Sequence, residues 1–338
     1  MQLLLQKPVI TARLDSTYTL IPMHNHPDYY NWLCMNTVLL KVNSTNFDDY
    51  DFNFLHPVFR STTLIQDVMS FGNIKYSENL IEANLIKMIK ERLDDGYYAC
   101  CHLDDFYIPN KNFFKKTHFT HINFIYGYDD DKGTLLTYGY NDHGVCVEAE
   151  VPYICIVNGY KKSLDKYLNF LKPNLENKVN MDLEFLAKYI ECYLNPSIST
   201  KDALQPIINE PRTIGTLYTQ GLLFGVEAQQ YLVDRIKLNK DDDSALKDVR
   251  TFQILIEHKK CMLWRLNYIN QFTRIPKHLI ERYEKNVQLP CEILKNLVLK
   301  LRIKEDASLH LLISKILQDV LNDETEILTE FLRIIKQY

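Results

Sequence analysis

The stretch His118–Asp142, HFTHINFIYGYDDDKGTLLTYGYND, decides how the rest of the chain is read. Its two runs, THINFIYGYD and GTLLTYGY, are rich in β-branched and aromatic residues, which suit a pleated, half-buried surface. Between them Asp130-Asp131-Lys132-Gly133 supplies turn chemistry, so the pair reads as a β-hairpin. Outward from it, GYYACCHLDDFYIP and VCVEAEVPYICIV have the same texture and extend a strand-rich block over roughly residues 95–156.

Upstream of the block, ENLIEANLIKMIKERLDDG places Leu80, Ile81, Leu85, Ile86, Ile89 and Leu93 at helical spacing and stops at Gly96, where a helix C-terminus is expected. An earlier run, NWLCMNTVLLKV, fits a short buried helix or a strand equally well. Downstream the strand signals fade. KSLDKYLNFLK, MDLEFLAKYIECYL, ALKDVRTFQILIEHKKCMLWRLNYINQF, HLIERYEKN, CEILKNLVLKLRI, LHLLISKILQDVL and TEILTEFLRIIKQY all read as helical. In the longest, Leu246, Val249, Phe252, Ile256, Leu263 and Leu266 form one apolar stripe, leaving Asp248, Glu257 and Lys260 for the wet side. Breaks are expected at Pro196, Pro206, Pro211, Pro276 and Pro290, and KLNKDDDS reads as a polar connection. The expected fold class is α+β, with an antiparallel-sheet domain over residues 1–157 and a mainly helical region over 158–338.

Composition bounds the function classes. The chain has 338 residues, 46% apolar and 24% charged, with a formal net charge of -4. That balance argues against a basic nucleic-acid footprint, so no nucleic-acid partner is expected. No apolar run reaches membrane-spanning length and the start lacks a signal-peptide pattern, so neither a membrane nor export is expected, and cytoplasm is the default. Cys34, Cys100, Cys101, Cys146, Cys155, Cys192, Cys261 and Cys291 are scattered without a CxxC, as reduced core thiols would be.

Several residues carry candidate chemistry. His24, His26, His118 and His121 lack the spacing of a closed zinc site, and on a strand His118 and His121 would face opposite sides, so no metal is expected. Asp104 and Asp105, at a strand end, read as turn formers ahead of an acid–base pair. Phe106, Tyr107, Phe113 and Phe114 read as packing. Lys111, Lys115 and Lys116 among them form either a solvated face or a contact for an acidic partner. The stretches from Leu309 to Tyr338 carry an apolar face for packing or dimerisation.

The block Asp94–Asp129, containing His121-Ile-Asn-Phe-Ile-Tyr-Gly127-Tyr128-Asp129, resembles the N-terminal domain of the butirosin biosynthesis protein H family. DVRTFQILIEHKKCMLWRLNYI is similar to the helical part that follows it there, and Glu257, His258, Lys259 and Arg265 lie in that segment. The resemblance implies a papain-like fold and acyl transfer from a thioester on an acyl or peptidyl carrier protein to the amine of a small-molecule acceptor. No cofactor is implied beyond the carrier's phosphopantetheine arm. It also implies a cysteine nucleophile at a helix terminus, with Cys34 the candidate by position, and His121 as proton shuttle. Asn141 or Asp142 would orient His121. Asp28 stands where the papain pattern has its oxyanion-binding Gln, and Asn31 is the alternative amide. Three functions stay open: an acyltransferase of antibiotic-type biosynthesis, a non-catalytic partner of peptide or polyketide synthetases, and a cysteine peptidase or amidase.

Overall fold

The computed structural model describes residues 1–44, 52–54, 69–71, 78–196, 221–238, 249–304 and 306–338. The elements in chain order are α1 (Leu14–Met23), α2 (Tyr29–Met35), β1 (Leu40–Asn43), β2 (Asn53–Phe54), β3 (Met69–Phe71) and α3 (Glu78–Asp94). There follow β4 (Tyr98–Asp104), β5 (Thr120–Asp129), β6 (Thr134–Tyr140), β7 (Cys146–Pro152), α4 (Tyr153–Lys162), β8 (Leu168–Pro173), α5 (Leu183–Leu194) and β9 (Leu222–Phe224). Last come α6 (Gly225–Leu238), α7 (Val249–Ile269), α8 (Lys277–Tyr283), α9 (Leu289–Ile303) and α10 (Ala307–Ile335). The class is α+β, with antiparallel sheets and a helical C-terminal part.

The chain forms two units interleaved in sequence: Met1–Tyr29 with Thr63–Lys178, and Tyr30–Thr62 with Val179–Tyr338. The single break expected after residue 157 falls inside α4 instead. The strand beyond it, β8, pairs with β4 and so belongs to the first unit's sheet.

The first unit is built on an antiparallel sheet of order β3-β8-β4-β5-β6-β7. Ala99, Cys101 and Leu103 alternate along β4 and pack with Ile125, Leu135, Val151 and Phe170 into one core. Leu85, Ile89 and Leu93, one helical face of α3, close that core together with Ile156 and Tyr160 of α4. Tyr18 of α1 stacks on Phe124 at 5.1 Å, and Tyr98 joins the same ring at 5.4 Å.

The local signals explain these elements. α3 ends as expected: Gly96 has φ +84° and its N–H donates to Leu93 O, while the Tyr97 N–H donates to Arg92 O. The β5–β6 turn runs through Gly133 at φ +64°, with Asp129 Oδ1 accepting the N–H groups of Asp131 and Lys132. Gly127, in the middle of the opening stretch, must lack a side chain. The backbone of Met1–Leu3 pairs across it, and a Cβ there would stand 2.7 Å from Met1 O.

Two expectations change. YICIV, read as strand, is the first half of α4: Pro152 brings no N–H to continue the β7 ladder, and Ile156, Gly159 and Tyr160 share a buried helical face. LNFLK, read as helix, is β8, paired between β3 and β4, where Phe170 and Leu171 are buried. Apolar runs this short hold too few residues to separate a period of 2 from 3.6.

The second unit carries a small antiparallel sheet, β2-β1-β9, and most of the helices. NWLCMNTVLLKV proves to be both things: α2 ends at Met35 and β1 begins at Leu40. The two C-terminal stretches are one 29-residue helix, α10, started by Asp306, whose carboxylate accepts the Ser308 N–H. Its apolar face, including Ile313, Leu317, Ile327 and Phe331, is buried. Glu257, assigned to the wet side of α7, is buried along with His258, Lys259 and Arg265. Leu246 of the apolar stripe, Asp248 of the wet side, most of KLNKDDDS, and Pro206 and Pro211 lie outside the described residues. Among the described residues no helix is long and apolar enough to cross a membrane.

Candidate active site

Antiparallel pairing of β4 with β5 sets Leu103 opposite His121 and Asp104 opposite Thr120. The chain leaves β4 through a tight turn, Asp105–Tyr107, whose Asp105 N–H donates to Phe119 O at 2.9 Å. Two successive carboxylates at the end of β4 are thereby delivered to two histidines at the entry of β5.

The two pairs differ in kind. His118 Nδ1 lies 2.6 Å from Asp104 Oδ2 and its ring stacks on Phe106 at 4.4 Å. Asp104 Oδ1 accepts the N–H groups of Phe106 and Phe119, each at 3.1 Å, so this carboxylate clamps the turn, as the sequence suggests. Burial would raise the Asp104 carboxyl, but the His118 and backbone hydrogen bonds outweigh it and hold it below the usual range.

Asp105 does something else. Its Oδ2 faces His121 Nδ1 at 3.4 Å, and the carboxylate is only 4% exposed whereas the imidazole is 33% exposed. Its Oδ1, also buried, has no hydrogen-bond partner. A third pair, His102 with Asp165 at 2.9 Å, uses a carboxylate that is largely in solvent. Of the three, His121–Asp105 joins a buried carboxylate with spare accepting capacity to a ring that reaches solvent. A carboxylate on Nδ1 fixes the tautomer that leaves Nε2 to receive a substrate proton. At 3.4 Å the two groups face each other as an ion pair without a hydrogen bond between them.

The remaining predicted residues are distributed over both units. In the first, Asn141 Oδ1 accepts the N–H groups of His143 and Val145 and so holds the β6–β7 turn. Asp142 lies 3.7 Å from His143 Nε2 on the surface. The carboxylate beside His121 is therefore that of Asp105. His26 Nδ1 accepts the Asp28 N–H at 3.0 Å. In the second unit, Asn31 donates to Val179 O at 2.8 Å and accepts from the Tyr268 hydroxyl at 2.7 Å.

Cys34 also belongs to the second unit, whereas His121 belongs to the first. It is the sixth of seven residues of α2, at the negative end of the helix dipole rather than the positive end that favours a thiolate. Burial pushes its thiol up to about 12 although Arg265 opposes the shift. Arg265 itself is buried and donates from Nε to Cys34 O at 2.6 Å and from Nη2 to Asn36 O at 2.7 Å, fixing the turn after α2. Among the described residues no three His, Cys, Asp or Glu side chains are grouped to hold a metal ion.

The missed group is Asp105. Its signal is the β4–β5 pairing: once HLDD and HFTH are laid antiparallel, each Asp falls beside a histidine. No family model matches the chain, and no curated protein matches it.

Proposed function

We propose that the chain is a papain-like acyltransferase of specialised-metabolite biosynthesis, passing an acyl group from a carrier protein's phosphopantetheine thioester to the amine of a small molecule. The observation that carries the reading is the pairing of His121 with buried Asp105. The likeness of the Asp94–Asp129 block to the butirosin biosynthesis protein H family supplies the substrate class.

His121 acts as general base. The amine nitrogen attacks the thioester carbon, and its proton passes to His121 Nε2. The C–S bond then breaks, and the departing pantetheine sulfur takes the proton back from the imidazolium. An amide and a free thiol result, with no net gain or loss of protons. Water in place of the amine would give hydrolysis by the same base, so amine-against-water competition separates transferase from hydrolase.

The test is to incubate the protein with an acyl-pantetheine and a panel of amines, following thiol release and amide mass. Transfer is expected, and His121→Ala is expected to slow kcat about a hundredfold or more. Release of neither thiol nor amide by the wild type would sink the reading.

The buried Cys34 thiol, pushed up to about 12, disfavours a cysteine-thioester route and fits both this direct transfer and a second reading, a non-catalytic partner of peptide or polyketide synthetases. Both predict that iodoacetamide alkylates Cys34 slowly at neutral pH, with a rate still climbing above pH 9 when followed by peptide mass. A plateau reached below pH 8 would mean an activated thiolate and would restore the cysteine-thioester route.

A further inference from the structure

Beside the His121–Asp105 pair the first unit contains a group of buried polar atoms without partners. The Tyr18 hydroxyl is fully buried and has no hydrogen-bond partner, and the same is true of Asp105 Oδ1. A buried hydroxyl left unpaired costs about 1–3 kcal/mol, so an orphan of this kind calls for a reason.

Gly139 on β6 brings a third group into the cluster. A Cβ at this position would stand 2.6 Å from Tyr18 Oη and 3.2 Å from Lys111 Nζ. The missing side chain is what lets both polar atoms approach the strand at one point. The hydroxyl and the ammonium nevertheless make no hydrogen bond to each other, because the hydroxyl is unpaired. Burial lowers the Lys111 ammonium, with the Asp105 charge opposing the shift, and burial raises the Tyr18 phenol, with Asp105 adding to it. Burial keeps the Tyr18 phenol well above its ordinary value, so it stays a donor. Lys111 is mainly desolvated rather than part of a solvated basic face.

The loop that carries Lys111 is held in a costly shape. Asn110 and Lys115 have φ of +63° and +54°. Asparagine tolerates that region, but for a lysine it costs of order 1 kcal/mol. The Lys115 N–H donates to Phe106 O, tying the loop back to the turn that holds Asp105.

We propose that Lys111 and Tyr18 together hold the carbonyl oxygen of the acyl donor, beside His121–Asp105. The inference rests on the acyl-transfer reading of that pair. As the amine attacks, the carbonyl oxygen gains negative charge, and a preorganised ammonium and phenol stabilise it most at that moment. A carbonyl oxygen bridging the two donors would end the isolation of the Tyr18 hydroxyl.

The probe is an acyl-pantetheine analogue in which a methylene replaces the sulfur, leaving a ketone that cannot transfer its acyl group. Binding to the full chain is measured by calorimetry for the wild type, Lys111→Met, Tyr18→Phe and, as a charge control, Lys116→Met. Lys111→Met and Tyr18→Phe are each expected to weaken ketone binding about tenfold, with Lys116→Met unchanged. An analogue with a second methylene in place of the carbonyl should bind wild type and Lys111→Met alike. In acyl transfer the same two variants should lower kcat about a hundredfold and move KM less. Equal ketone affinity in wild type and both variants, or no binding to the wild type, overturns the assignment. Lys111-dependent ketone binding without any transfer keeps this site and removes the acyl-transfer reading. Transfer unaffected by Lys111→Met does the reverse.

Discussion

Lys259→Met is expected to cost the second unit about 3–5 kcal/mol of stability, the typical penalty for stripping one partner from a buried ion pair. Lys259 Nζ lies 2.6 Å from Glu324 Oε2, and both side chains are fully buried. The ammonium also donates to Gln229 Oε1 at 2.7 Å and to the Tyr193 hydroxyl at 3.2 Å. Glu324 is equally saturated. Its Oε1 accepts the Tyr283 hydroxyl at 2.6 Å, and its Oε2 accepts Tyr193 at 2.5 Å and Gln229 at 3.0 Å. One network thus joins α5, α6, α7, α8 and α10. Methionine matches the lysine stem in length and apolarity, so packing changes little. What remains is a carboxylate without its counter-ion in a site that excludes water. The check is the thermal or urea transition of the variant, followed by far-UV circular dichroism. Lys259→Met/Glu324→Leu should recover much of the loss, because an apolar replacement of the whole pair leaves no lone charge. A single variant within 1 kcal/mol of wild type would show that the pair is not held as described.

That network also marks where the sequence stops being informative. Lys259 and Glu257 sit in a helix whose apolar stripe is plain, and charge alone assigns them to water. The partners of Lys259 are Tyr193, Gln229 and Glu324, which lie up to 66 residues away along the chain and leave no local trace in periodicity. The hairpin through Gly133, the end of α3 at Gly96 and the α+β class were legible because turn and cap chemistry is local. The β8 and α4 segments were not, since six apolar-rich residues fit either period. The candidate site was half legible. His121 stands out in its motif, but Asp105 acquires meaning only through a strand register, and Lys111 and Tyr18 only through the bare backbone of Gly139.

Acidification is expected to destabilise the second unit from about pH 6.5 downward, earlier than carboxylate titration alone would do. His258 is fully buried, stacked on Tyr193 at 5.3 Å and tilted against Phe54 at 5.7 Å. Its Nε2–H donates to Val38 O at 2.9 Å, which leaves Nδ1 as the bare nitrogen, 3.4 Å from Lys259 Nζ. A second proton on the ring would be desolvated and would face an ammonium. Burial first and Lys259 second hold the imidazole at about 3, with Glu324 opposing. Because the unfolded ring titrates near 6.5, the unfolded state binds the extra proton over the window between the two values. Stability is therefore complete above pH 6.5 and falls as pH drops toward 3, at about 1.4 kcal/mol per pH unit. From pH 6.5 to 4.5 the loss is about 2.3 kcal/mol, because the unfolded ring is only half protonated at the start of that interval. Glu324 adds to it only lower down. Burial would raise its carboxyl, but Lys259 and His258 together hold it at about 2, so its contribution disappears between roughly pH 4.5 and 2. His258→Gln keeps a donor for Val38 O and has no proton to gain. Urea unfolding of the wild type and this variant at pH 7, 5.5 and 4.5 should give a steep decline for the first and a shallow one for the second. The slope is the readout, because the substitution also shifts the level at pH 7. Parallel slopes would mean that the buried imidazole is not the group that titrates.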